Sequence, residues 1–162
     1  EAFCDLMPDQ SLASRDLPSN VIILRSLGKF FGLAGLRIGL FHAAPELHVK
    51  VQALLGPWPV NGLALLIAGH ALQDEAWIEL TRNRLMQDGT RLQNVLSACG
   101  LQIVGATDLF CLVSSDEAPN IAHTLARQGI YVRTFVENNQ LVRFGLPNDD
   151  DGFSRLETAL KP

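Results

Sequence analysis

The apolar run Val21-Ile22-Ile23-Leu24 leads directly into the fifteen-residue stretch Arg25 to Gly39, and this junction constrains the fold more than any other part of the chain. A run of branched aliphatic residues without strict alternation predicts a buried strand from Val21 to Leu27, of the kind found in parallel sheets. The stretch that follows holds Ser26, Lys29 and Arg37 among four glycines, Gly28, Gly32, Gly35 and Gly39. A strand that ends this way presents a hydroxyl, an amine and a guanidinium at its C-terminal edge, where open α/β sheets bind ligands. An amine that can condense with a carbonyl, next to two anion donors, suits a phosphorylated aldehyde.

The rest of the chain is compatible with that reading. The 162 residues suffice for one domain or one and a half, and the 48% apolar and 19% charged composition is that of a globular protein. A net charge of -4 gives no basic surface for nucleic acid, and no nucleic-acid partner is expected. Residues 51 to 73 carry no Asp, Glu, Lys or Arg, but Pro57, Pro59 and Asn61 interrupt them, so a loop and a helix are expected there and not a membrane span. Cys4, Cys99 and Cys111 are odd in number and widely spaced, which predicts free thiols in a reducing cytoplasm. His42, His48, His70 and His123 have no metal-ligand spacing, and no metal site is expected. His70, on an apolar helix, is expected in the core.

Coarse periodicity gives the order of the elements. Loop and short helix fill residues 4 to 20, and Leu36 to Phe41 reads as a second strand. Pro45 opens a helix to about Leu55. Asn61 caps a helix to Leu72, and Asp74 caps a long amphipathic helix with Trp77, Leu80, Leu85, Leu92, Val95, Leu96 and Cys99 as its apolar stripe, stopped by Gly100. Strands are expected at Leu101 to Val104 and Leu109 to Ser114, then a helix from Pro119 to Gln128. Ile130 to Val136 and Leu141 to Gly145 form a hairpin around Glu137-Asn138-Asn139-Gln140. Asp149, first of three aspartates, caps a last helix to Leu160. This order predicts an α/β fold with a small α/β sandwich in its second half.

Ser-x-x-Lys-x-x-Gly-x-x-Gly-x-Arg-x-Gly, carried by Ser26, Lys29, Gly32, Gly35, Arg37 and Gly39, resembles the Schiff-base lysine motif of pyridoxal-phosphate enzymes of the aspartate aminotransferase superfamily, fold type I. The resemblance implies the C-terminal part of such an enzyme. Residues 1–75 would be a remnant of the cofactor-binding large domain, and residues 76–162 the small domain with its long bridging helix. Lys29 would bind the cofactor aldehyde and then shuttle a proton at the substrate α-carbon. Burial near cationic groups would favour its neutral amine. Ser26 and Arg37 would hold the cofactor phosphate.

Glu1-Ala2-Phe3 is similar to the end of the family's Asp-x-Ala-Tyr segment. Its aspartate would precede Glu1, so the chain reads as a piece of a longer enzyme. Phe3 stands where many members have a tyrosine bonded to the cofactor's phenolic oxygen; it cannot make that bond and would only pack against the ring. Arg143 matches the arginine that holds the substrate carboxylate or phosphate. Arg133 matches a second anion-binding arginine of the histidinol-phosphate aminotransferase-like branch. Together the two arginines suggest a doubly anionic substrate, an amino acid phosphate.

Trp58 and Asn61, in Pro57-Trp-Pro-Val-Asn61, resemble the Pro-Trp-x-Val-Asn segment of threonine-phosphate decarboxylases from cobalamin synthesis and would contact substrate. The implied reaction is decarboxylation of L-threonine O-3-phosphate to aminopropanol phosphate, by a cytoplasmic homodimer. The alternatives are an aminotransferase of the histidinol-phosphate type, and an inactive piece serving only as a folding or dimerisation module.

Overall fold

The structure, a computed structural model, describes residues 1–161. It divides into two compact units, Glu1–Ile78 and Glu79–Pro162.

In the first unit three short 3-10 turns lie between Cys4 and Ser14 and precede strand β1, Ile23–Ser26. β1 pairs with β2, Gly39–His42, in a two-stranded antiparallel ladder with Ile23 opposite His42 and Ser26 opposite Gly39. The parallel, fully buried strand expected here is therefore not found among the described residues. Ile23 is buried, while Leu24 is 62% exposed. An aliphatic run without alternation carries no information on strand direction, and the hairpin follows from the close return of the chain through residues 27 to 38. Helix α1, Pro45–Leu55, begins with Pro at its first position, where the missing N–H costs no helical hydrogen bond. Helix α2, Gly62–Gln73, is capped by Asn61, whose side-chain oxygen accepts from the Ala64 N–H at 2.8 Å. Ile23, Leu27, Phe30, Ala64 and Ala68 are buried within the first unit.

Helix α3, Glu75–Ala98, starts at Asp74, whose Oδ1 accepts from the Trp77 N–H at 3.0 Å, and ends before Gly100 at φ 76°. Its buried face is Thr81, Leu85, Gly89, Leu92 and Leu96. Leu80 is 72% exposed and so falls outside the stripe expected of it. In the second unit β3 (Gln102–Thr107), β4 (Phe110–Ser114), β6 (Leu141–Gly145) and β5 (Arg133–Thr134) form one sheet in the order β3-β4-β6-β5, with every pair antiparallel. β5 is shorter than the run from Ile130 to Val136 predicted; it is an edge strand that only β6 holds.

Strand alternation sorts this sheet into two faces. Cys111, Val113, Val142 and Phe144 point to one side and join Leu92 and Leu96 of α3, Leu125 of α4 (Ala118–Arg127), and Phe153 and Leu156 of α5 (Asp150–Leu160) in a single core. The opposite face carries Phe110, Leu112 and Arg143, which are only half-buried. α5 is capped by Asp149, whose Oδ1 accepts from the Gly152 N–H at 2.8 Å.

Candidate functional site

The end of β1 and the loop that returns to β2 carry three of the residues singled out by the sequence, Ser26, Lys29 and Arg37. Because Ser26 pairs with Gly39, the two ends of this loop meet, and Arg37, two residues before Gly39, is brought to the end of the ladder that Ser26 occupies. The loop is held by its own backbone: the Leu33 N–H donates to the Leu27 carbonyl at 2.9 Å, and the Gly32 N–H to the Lys29 carbonyl at 3.1 Å. Gly32 has φ 67°, in the region that favours glycine. The Ser26 hydroxyl accepts from the Gly28 N–H at 3.1 Å, which fixes the turn into Lys29. Phe30, buried, and Phe31 anchor the segment on either side of an edge-to-face contact with each other, and Phe31 stacks on Trp77 with ring centroids 5.7 Å apart.

Lys29 and Arg37 are exposed and Ser26 is half-buried. The burial expected for Lys29 is thus not found among the described residues. Arg37 sits in the left-handed conformation, φ 53° and ψ 43°, and its Nη1 donates to the Ala34 carbonyl at 3.2 Å. Neither Lys29 nor Arg37 forms an ion pair among the described residues. An amine, a hydroxyl and a guanidinium, with no carboxylate bound to either cation, form a donor set that fits the aldehyde and phosphate of pyridoxal phosphate.

Phe3 is half-buried and precedes the first 3-10 turn. Its neighbour Glu1 runs beside β1, with the backbone nitrogen donating to the Leu24 carbonyl at 2.8 Å. The Leu12 N–H and the Ser11 hydroxyl both donate to the Glu1 carboxylate and hold it below the usual carboxylate range, the backbone bond being the larger cause. Trp58 is 93% exposed and has φ 56°, an uncommon backbone state for a bulky residue. Asn61 spends its side-chain oxygen on the helix cap. His70, expected in the core, is exposed; it lines an apolar groove of about 360 Å³ with Phe31, Leu33, Ile67, Ala71, Asp74 and Trp77. Among the described residues no group of three or more His, Cys, Asp or Glu could hold a metal ion.

In the second unit Arg133 and Arg143 stand directly opposite each other on β5 and β6. They share the sheet face that the helices leave uncovered. Neither forms an ion pair among the described residues. Like charges placed directly opposite on a sheet are destabilising, so this pair needs an anion or a wide separation of its guanidiniums. The Arg143 Cζ lies 4.7 Å from the centroid of the Phe110 ring. Nothing in the spacing of the sequence singles out Phe110, because the strand register that brings it to Arg143 is set by residues thirty or more positions away.

Arrangement and donor set define an α/β protein of fold type I, the fold of pyridoxal-phosphate-dependent transferases, and a solved structure agrees. Histidinol-phosphate aminotransferase from Sinorhizobium meliloti in complex with pyridoxal-5'-phosphate superposes with a TM-score of 0.77 at 25% identity, over 99% of this chain and 46% of that one. The chain belongs to the aminotransferase class I and II family, whose profile matches residues 1–151. Its relatives are enzymes. Threonine-phosphate decarboxylase of Pseudomonas aeruginosa is 38% identical over 160 residues, covering 99% of this chain and 48% of the relative. Histidinol-phosphate aminotransferase 1 of Cupriavidus pinatubonensis is 34% identical over 152 residues, covering 88% and 40%. The chain therefore spans about half the length of the curated relatives it matches.

Proposed function

We propose that this chain is the lysine-bearing part of a pyridoxal-phosphate enzyme that decarboxylates L-threonine O-3-phosphate to aminopropanol phosphate. The observation that carries the reading is the Arg133–Arg143 pair, opposed on neighbouring strands with no ion-pair partner among the described residues. That arrangement suits a substrate with two anionic groups, and the 38% identical threonine-phosphate decarboxylase supports the choice among such substrates.

When bound, pyridoxal phosphate supplies an aldehyde and a ring that takes up the electron pair left by a bond broken at the substrate α-carbon. Arg37 and Ser26 would hold its phosphate, through the guanidinium and the hydroxyl. Lys29 would be the amine that bonds the aldehyde, and its Nζ would hold the proton that is returned to the substrate α-carbon. Arg143 and Arg133 bind the substrate carboxylate and phosphate and so set which α-carbon bond is aligned to break. Phe3 packs by the ring, and Trp58 and Asn61 flank the substrate from the loop before α2. Residues 1–75 belong to the cofactor-binding large domain and residues 76–162 to the small domain. The whole enzyme works as a cytoplasmic homodimer in cobalamin synthesis.

A second reading, an aminotransferase of the histidinol-phosphate type, is favoured by the 34% identical relative. There the same Lys29 would take the proton from the substrate α-carbon. Product analysis separates the two: the intact enzyme, given L-threonine O-3-phosphate, releases carbon dioxide and an amine phosphate under the first reading and a keto acid under the second. The third alternative, a folding or dimerisation module, requires that the intact protein bind no cofactor. Borohydride reduction of the cofactor-loaded protein followed by peptide mapping should label Lys29, and Lys29→Ala should abolish both label and turnover. A label that persists on another lysine removes the assignment.

A further inference from the structure

We propose that Phe110 is a positioning residue for the anion site: its ring is the shelf on which the Arg143 guanidinium lies, and it orients that charge without neutralising it. The inference rests on the reading of Arg143 as an anion holder.

The geometry follows from the register. On adjacent strands Leu112 stands opposite Arg143 and Phe110 opposite Gly145, so Phe110 and Arg143 are diagonal neighbours on one face. Diagonal neighbours are within reach of aromatic and long side chains. The guanidinium carbon is 4.7 Å from the ring centroid, inside the range of a cation–π contact. Arg133, directly opposite, has a ring of its own: its Cζ is 6.0 Å from the centroid of Phe135. Each cation of the opposed pair is thus attracted by an aromatic ring, which offsets part of their mutual repulsion.

A ring does something a carboxylate cannot. It attracts the cation through its quadrupole, yet takes up none of the five in-plane N–H donors of the guanidinium. Those donors remain available to an oxyanion. The molecule contains its own contrast. Arg91 also lies over a ring, 4.1 Å from the centroid of Phe153, but it is paired with Asp150 as well, so its charge is already engaged. Arg25 and Arg82 are likewise paired with acids, Asp5 and Glu79. Arg143 has the ring and, among the described residues, no acid. This is the difference between a structural cation and one held ready for a ligand.

The test uses the full chain and inorganic phosphate. Phosphate affinity is measured by calorimetry in every variant, and where Arg143 is retained its side-chain Nε–Hε resonance reports the ring-current shift expected for a guanidinium over Phe110. Arg143→Gln should weaken phosphate binding at least tenfold, on the order expected for loss of a charge-assisted contact. Phe110→Leu should weaken it about threefold, the scale of an exposed cation–π contact, and Phe110→Tyr should restore it. Stepwise fluorination of a phenylalanine placed at position 110 drains the ring's quadrupole with little change of shape, and affinity should fall with each fluorine. That series decides the matter even where Phe110→Leu fails to fold. A flat fluorination series, or Phe110→Leu binding as the parent does while Arg143→Gln does not, overturns the shelf and leaves the anion site standing. Unchanged binding in Arg143→Gln overturns the anion site itself.

Discussion

Cys111 is fully buried between sheet and helices, and burial pushes its thiol up from the ordinary range. The folded chain therefore holds this proton more tightly than the unfolded chain. The resulting stability is complete below the ordinary thiol value of about 8.5 and is lost as pH rises through the folded value. Urea titrations from about pH 7.5 to about pH 10, bracketing that ordinary value, should show a steeper loss of stability in the parent than in Cys111→Ala. Under native conditions a thiol reagent should modify Cys4 and Cys99, which are half-buried, long before Cys111. At this scale the sequence was most readable where the chemistry is local. Ser26, Lys29 and Arg37 are eleven positions apart at most, and the sequence places them at the end of one strand and on the loop that follows it. The αL backbone of Arg37, the exposure of Lys29 and the ring beneath Arg143 were not readable. The first two depend on how the loop closes, and the third on a register between distant strands.

Helix ends were legible because capping is a contest among a few adjacent groups. Asn61, Asp74 and Asp149 each accept the N–H expected of a cap. Strand direction was not, since an aliphatic run looks the same to a parallel and an antiparallel neighbour. Nor was the role of Gly89, which sits mid-helix in α3, where propensity alone recommends alanine by about 1 kcal/mol. A Cβ there would stand 3.0 Å from the Asp108 Cα, in the turn between β3 and β4. Backbone cannot swing aside as a side chain does, so overpacking should prevail over propensity. Gly89→Ala is expected to destabilise the second unit by about 1–2 kcal/mol, read as a lower urea midpoint at unchanged slope. A stabilised variant would mean that the β3–β4 turn yields freely.

For the molecule as a whole, the exposed large apolar side chains of α1, α2 and their connecting loop matter most. Leu54, Leu55, Trp58, Leu63, Leu65 and Leu66 are between 55% and 93% exposed on α1, α2 and their connecting loop. No described helix is long and apolar enough to cross a membrane. A patch of this kind on a water-facing surface drives association. The chain by itself should therefore self-associate, and the double substitution Leu54→Lys with Leu65→Lys should shift it toward monomer in sedimentation velocity at unchanged helix content. The uncharged stretch from 51 to 73 is visible in the sequence, but which of its side chains the fold leaves uncovered is not, because α2 is apolar on nearly every side. Arg37 carries a last implication. An arginine held at φ 53° is a standing conformational tension of about 1 kcal/mol that glycine or asparagine would relieve. Laboratory selection for heat tolerance alone should drift toward those residues at position 37, toughening the protein while removing the guanidinium proposed to hold a phosphate.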